Sequence, residues 1–228
     1  MKYLYLFIII GSVLIPILFC FHPKLKFYKY WKSFLFASIV TLTIFIVWDI
    51  IFTQNGLWGY NDDYFVGDFI LSLPLEKWLF LICIPFACVF THYALQHYFP
   101  RFRILGKNST IVTHVTIATL LLLCFIYYDK WYTIVDFLYA IILLLLVRLY
   151  NHNLLESYYP TFLVLLIPFF IVNEVLTGSW LAQEIVWYNH MENLDFRLGT
   201  IPFEDSIYAF SLILTNLSLT KYFYAKFN

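Results

Sequence analysis

At 228 residues the chain is long enough for one or two soluble domains, but 62% of it is hydrophobic and only 12% is charged, against roughly 25% charged in soluble proteins. That balance excludes an ordinary water-soluble enzyme and reads as an integral membrane protein. The formal net charge is zero, so no basic field favours nucleic acid, and what matters is where the charges sit.

A spanning helix needs about 20 mostly apolar residues, and segments near 3–21, 33–53, 74–96, 110–128, 131–149, 159–177 and 202–222 have that character. The reading is therefore an all-α integral membrane protein with seven transmembrane helices. The first apolar run has no small-residue cleavage site after it and reads as a retained span. Lys24, Lys26, Lys29, Lys32, Arg101, Arg103, Lys107, Arg148, Lys221 and Lys226 fall on one side if the helices alternate. Lys2, Lys77, Lys130 and Arg197 fall on the other. The positive-inside rule then puts the N-terminus outside and the C-terminus in the cytoplasm of a multi-pass protein of the cell (inner) membrane. Cys20, Cys83, Cys88 and Cys124 lie in apolar runs without a CxxC pair, as small buried hydrophobes do.

Two long connections, 54–73 and 178–201, fall on the outer side with most of the carboxylates, and they echo each other. Tyr60-Asn61 precedes Pro74-Leu75-Glu76 by fourteen residues, and Tyr188-Asn189 precedes Pro202-Phe203-Glu204 by the same interval. Upstream, Asp49 to Thr53 is echoed more loosely by Asn173 to Thr177. A shared spacing points to one ancestral unit used twice, which predicts two parallel three-helix repeats, residues 1–109 and 131–228, joined by a linker helix at 110–130. Parallel repeats commonly place a site at their interface.

Pro74 and Pro202 suit helix starts, where a missing N–H is harmless, so Glu76 and Glu204 belong to first turns. First-turn acids are ordinarily there for the helix dipole. Here both copies keep the acid at one offset, and both acids enter apolar helices, where an ionisable group is expensive. A carboxyl kept protonated by burial could donate a proton to a substrate in the membrane. Asp205 follows Glu204, whereas Lys77 follows Glu76; Asp49 is the next candidate, with Glu174 beside Asn173. Asn61 and Asn189 are by default turn formers, and their matched spacing adds a supporting hydrogen-bond role. Trp48, Trp58, Tyr60, Trp78, Trp180, Trp187 and Tyr188 are mostly interfacial belt residues by composition, and those facing inward could stabilise a cation through their rings.

No GxGxxG or Walker loop occurs, and the six histidines are scattered without HExxH, so neither a nucleotide nor a metal site is expected. Lys221 lies at the end of its helix, which argues against a retinal-binding protein.

At these residues the sequence resembles the small integral-membrane lycopene cyclases, whose two homologous halves are separate subunits in some bacteria and fused in others. WDIIFTQNGLWGYN and LPLEKWLF match the first half; IPFFIVNEVLTG, VWYN, RLGTIPFEDSIYAF and LTN match the second. The family's Pro-x-Glu-acid motif is whole at Pro202–Asp205, while Lys77 replaces the second acid in the first half. The resemblance implies a redox-neutral, cofactor-free cyclisation of the acyclic ends of lycopene, a C40 polyene, to β-ionone rings. It implies Glu204 or Glu76 as proton donor, Asp205 and Asp49 as partner carboxylates, and Trp48, Tyr60, Asn61, Trp78, Asn173, Tyr188 and Asn189 around the substrate. Partners would be the lipophilic substrate and membrane lipid, with a homo-oligomer or a complex with other carotenoid enzymes left open. Competing readings are a related terpenoid cyclase acting on another polyene, a proton-coupled transporter, and a structural subunit of a membrane complex.

Overall fold

A computed structural model describes residues 2–228. Its helices are α1 (Leu4–Phe19), α2 (Trp31–Gln54), α3 (Leu75–Tyr98), α4 (Gly106–Ile126), α5 (Trp131–Leu176) and α6 (Phe203–Phe227). Six α-helices stand where seven transmembrane helices were expected. Among the described residues, four helical segments are long and apolar enough to cross a membrane: Phe27–Gln54, Leu75–Tyr98, Gly106–Ile126 and Trp131–Leu176. At 16 residues α1 is short of a full span, and α6 carries Glu204, Asp205, Lys221 and Lys226.

The miscount has a local cause. The polar stretch between the segments expected at 131–149 and 159–177 contains no glycine or proline until Pro160, so the two helical arms meet at a kink with no separate linker between them. The result is one 46-residue element of two helical arms, whose only non-helical backbone is at the kink, Asn151 (φ −156°, ψ 62°). A straight helix of that length would run ~69 Å, far beyond the bilayer's ~30 Å core. Instead α5 doubles back at Asn151: Arg148 before the bend reaches His114 of α4, and Tyr159 after it bonds Thr113 of α4 at 2.6 Å. Pro160 removes the donor that the Glu156 carbonyl would have met within the helix, and that carbonyl accepts from Ile104 N–H at 2.8 Å instead.

Because the expected fifth and sixth helices are one element, the helices do not form two parallel three-helix repeats. The repetition lies in the connections. After α2 come β1 (Trp58–Tyr60), β2 (Phe69–Ile70) and β3 (Leu73–Pro74); after α5 come β4 (Val186–Tyr188), β5 (Arg197–Leu198) and β6 (Ile201–Pro202). The hairpins β2–β3 and β5–β6 have the same register. Asn61 and Asn189 each accept, through their side-chain oxygens, from the backbone N–H two residues on, Asp63 at 3.1 Å and Met191 at 3.0 Å.

Strands β1 and β4 pair antiparallel with Gly59 opposite Trp187. Those two are themselves equivalent positions, 128 residues apart like Tyr60 and Tyr188, so a local two-fold axis passes between them. The flanking bonds obey it: Asn61 N–H donates to Ile185 O at 2.9 Å, and Asn189 N–H to Leu57 O at 2.8 Å. The Trp187 indole lies where a Gly59 Cβ would project, so only glycine permits this approach. Upstream the looser echo slips. The helix ends place Asn55-Gly56 opposite Thr177-Gly178, with matching bonds to Ile51 and Thr53, and to Asn173 and Val175. By that match Asn173 corresponds to Ile51, not to Asp49.

In the packing, α2 lies along α6, α1 along α3, and α5 against α4 and α6. An aromatic cluster of Phe45, Trp48, Phe52, Trp58, Tyr132 and Tyr208 fills the centre at the β1–β4 end.

Candidate active site

The starts of α3 and α6 bring the acids inside. Pro74 and Pro202 are the capping residues, both extended (ψ 149° and 141°). The next three positions are Leu75-Glu76-Lys77 and Phe203-Glu204-Asp205. Glu76 and Glu204 are both buried, and they do the same thing. Each accepts through Oε1 from a backbone N–H ten residues earlier, Glu76 from Val66 at 2.8 Å and Glu204 from Leu194 at 2.7 Å. Thr133 adds a 2.6 Å bond to Glu204. Both acids thus tether the hairpin before their own helix, and each leaves Oε2 without a partner.

The neighbouring position differs between the copies. Asp205 accepts from two phenols, Tyr132 on Oδ1 at 2.6 Å and Tyr188 on Oδ2 at 2.7 Å. Burial, and after it the Asp205 charge, push the Tyr188 phenol well above its ordinary range, so it is a donor at any ordinary pH. Lys77 instead crosses to α2 and pairs with Asp49 Oδ2 at 3.1 Å. Asp49 is completely buried and also accepts from Tyr208 at 3.0 and 3.1 Å. The Lys77 ammonium lies 5.1 Å from the Tyr208 ring, 5.6 Å from Phe80 and 5.7 Å from Trp58, within cation–π range.

A cavity of about 590 Å³ opens beside this cluster, lined by α1, α3, α5, α6 and the β1 and β4 strands. Asp205, Lys77, Trp58, Tyr60, Tyr132, Tyr188 and Tyr208 form its polar and aromatic end, and the rest is nearly all apolar. Asp205 is the one carboxylate among the described residues that lines it. Of the other residues singled out from sequence, Tyr60, Tyr188 and Asn173 line the cavity, with Asn173 Nδ2 donating to Phe169 O at 3.0 Å. Glu76, Glu204, Asp49, Trp48, Trp78, Asn61 and Asn189 do not. Trp48 packs beneath Tyr208 at 5.2 Å between ring centroids, and Trp78 donates to Ile70 O at 3.2 Å. Asn61 also holds Gln183 at 2.9 Å. Glu174 meets Ser179 and Thr200 under the β5–β6 hairpin.

Sequence reasoning did not single out Tyr132, Thr133 or Tyr208. They sit in apolar helical runs with no repeated spacing to mark them, and only the packing of the first arm of α5 along α6 brings Tyr132 and Thr133 to Asp205 and Glu204. Lys77 was noted as a departure from a motif, but its partner Asp49, 28 residues away, is a matter of packing. Asp136, one turn beyond Tyr132 and Thr133, is fully buried with both oxygens unpartnered. Among the described residues no group of three or more His, Cys, Asp or Glu side chains is arranged to hold a metal ion.

An apolar pocket that ends on one carboxyl, the two phenols bonded to it and several further aromatic faces can deliver a proton to a hydrocarbon and shelter the cation that results. No curated protein and no solved structure gives a significant match to the chain. The lycopene cyclase family model matches residues 2–95 and 129–223, and each matched stretch holds one Pro-x-Glu with a Tyr-Asn fourteen residues before it. On that match over most of its length, this membrane-associated chain belongs to the lycopene cyclase family.

Proposed function

We propose that the protein is a lycopene β-cyclase, closing acyclic ends of lycopene into β-ionone rings to give γ- and β-carotene. The observation that carries this is the position of Asp205 at the aromatic end of a long apolar cavity, with an acceptor contact on each oxygen. A substrate that is all hydrocarbon needs no more polar recognition than this.

The reaction moves one proton in and one proton out. A carboxylic acid protonates C2 of the terminal double bond, which leaves the cation at C1. The C5–C6 double bond attacks C1, forming the ring bond, and loss of the proton from C6 restores a double bond between C5 and C6. Nothing is oxidised or reduced. C2 and C6 are both attached to C1 in the closing ring, so one carboxyl can serve both. Asp205 gives its proton to C2, its carboxylate faces the cation, and it takes the proton back from C6. In the acid form one of its phenol contacts reverses, with the carboxyl as donor. The rings of Trp58, Tyr132 and Tyr208 shield the cation from water and stabilise it. Glu76 and Glu204 act as positioning residues that hold the hairpins, and Asp49 keeps Lys77 away from Asp205. This division of roles replaces Glu204 or Glu76 as donor because neither faces the cavity.

Charge bias supports a cell-membrane protein with the Lys24–Lys32, Arg101–Lys107 and Lys221–Lys226 stretches toward the cytoplasm and the β1–β4 end outside. The two matched stretches support division into two homologous units around 110–130. The test is pigment analysis of lycopene-accumulating cells expressing the chain. Appearance of γ- and β-carotene, lost in Asp205→Asn at equal protein level, is the expected result; lycopene left untouched by a well-expressed parent chain would refute the proposal.

A further inference from the structure

Asp136 is a buried acid that the cyclisation does not use. It is 0% exposed, and neither of its carboxyl oxygens has a partner. Three residues after Thr133 and four after Tyr132, it shares their face of α5, and those two hold Glu204 and Asp205. The adjoining Phe137 packs with Leu120 and Cys124 of α4 and with Phe203 and Ile207 of α6, so the surroundings are apolar. Glu204 has the complementary gap. Its Oε1 accepts from Leu194 N–H at 2.7 Å and from Thr133 at 2.6 Å, while Oε2 accepts nothing.

Three acceptor oxygens where α5 faces α6 therefore lack a donor. Ionised carboxylates only accept, so oxygens of two of them cannot satisfy one another, and a proton belongs between them. The titratable groups that feel the Asp136 charge are Glu204, Asp205 and Tyr208 of α6, Cys124 of α4 and Tyr132 of its own helix; none of these is a cation. Glu204 has the Arg197 guanidinium within Coulombic reach, and Asp205 has Lys77 beside the phenols of Tyr60, Tyr132 and Tyr188. Two donors and a cation converge on Glu204 and none on Asp136. The charge of the pair is then better placed on Glu204 and the proton on Asp136.

Building on the cyclase reading, we propose that Asp136 is a positioning residue that stays a neutral acid and turns its O–H toward Glu204 Oε2, so that Glu204 keeps the negative charge that holds Asp205 in its acid form. Cyclisation starts only from protonated Asp205, whereas Tyr132, Tyr188 and Lys77 all favour its carboxylate. A like charge on the adjacent Glu204 opposes them. Without the Asp136 O–H, Glu204 would take up a proton itself and its charge would vanish. Asp205 would then lose its proton at a lower pH.

Purified protein in lipid vesicles is read in two ways. The first needs no turnover: the infrared difference between the parent and Asp136→Asn near neutral pH should show the loss of one protonated-carboxyl C=O band, and that band should shift in D2O. If no such band is lost, Asp136 is ionised and the proposal is overturned, whatever the protein does to lycopene. The second is conversion of lycopene against pH. An amide, like a neutral acid, can donate to Glu204, so Asp136→Asn should leave the alkaline fall of activity at its parental pH. Asp136→Leu has no donor and should lower that pH by about one unit. An equal downward shift in both variants would make Asp136 a charged group, and no shift in either would make it packing alone; each result overturns the proposal and leaves the cyclase reading intact. Where Asp136→Leu fails to fold, the infrared band decides together with Glu204→Gln, which removes the charge directly and should lower the same pH; a lost band without that shift would also overturn the proposal. Lycopene left untouched while the band is present would refute the cyclase reading and leave the neutral Asp136 standing.

Discussion

Lys77 and Asp205 occupy the same position in the two copies of one structural unit, yet they are held by opposite partners: Lys77 by the Asp49 carboxylate at 3.1 Å, Asp205 by the Tyr132 and Tyr188 hydroxyls at 2.6 and 2.7 Å. The duplicated unit is thus specialised, with one copy supplying a free carboxyl and the other a neutralised ion pair.

That pair is buried, and removing one member strands the other. Lys77→Met leaves Asp49 charged in the core and is expected to destabilise by about 3–5 kcal/mol, read as a lower unfolding temperature in detergent. Lys77→Met combined with Asp49→Asn should recover most of the loss. Equal stability of the parent and Lys77→Met would mean that the pair contributes nothing.

Substitution separates the acid from the tethers. Asp205→Asn keeps size and hydrogen-bonding capacity but cannot donate a proton to C2, so conversion should fall by ~10²–10⁴. Glu204→Gln and Glu76→Gln keep an oxygen to accept from Leu194 and Val66 and should retain most activity. Glu204→Ala leaves the Leu194 N–H without its acceptor, at about 1–3 kcal/mol. Abolished activity in Glu204→Gln at unchanged thermal stability would move the donor role to Glu204.

Tyr188→Phe removes one of two donors to Asp205. A hydrogen bond to a charged group is worth about 1.5–3 kcal/mol, so a fall in conversion of about 10–100-fold is expected. The Tyr188 phenol is raised in the folded state above its ordinary value of 10.0. Its contribution to stability is therefore complete below that ordinary value and is lost only as pH rises through the higher folded one. The stability difference between parent and Tyr188→Phe should stay flat between about pH 8 and 9; a slope in that window would show that the phenol ionises there.

Gly59→Ala puts a methyl into the Trp187 indole and should destabilise the β1–β4 pair by about 1–3 kcal/mol. Trp187→Leu in the same chain should relieve it. Gly199→Ala meets a double obstacle, a φ of +67° and the Glu174 carboxylate, and should be the more damaging of the two glycine changes. Thermal unfolding of the single and double variants orders them.

The sequence by itself marked the chain as membrane-associated, because its apolar runs are long enough to span a bilayer, and it showed the repeated Tyr-Asn and Pro-x-Glu, because spacing along a chain survives duplication. The first-turn placement of Glu76 and Glu204 was equally legible, since proline starts a helix for a local reason. Helix number was not: the stretch after Arg148 is polar enough to look like a linker, but the only break in it is the kink at Asn151, where the second arm turns back along α4. Nor was the division between the acids. Which carboxyl faces a cavity and which turns back to a loop amide is set by the rotation of α3 and α6 against α5. Tyr132 reaches Asp205 across 73 residues of sequence, and that meeting was decided by the tertiary structure alone.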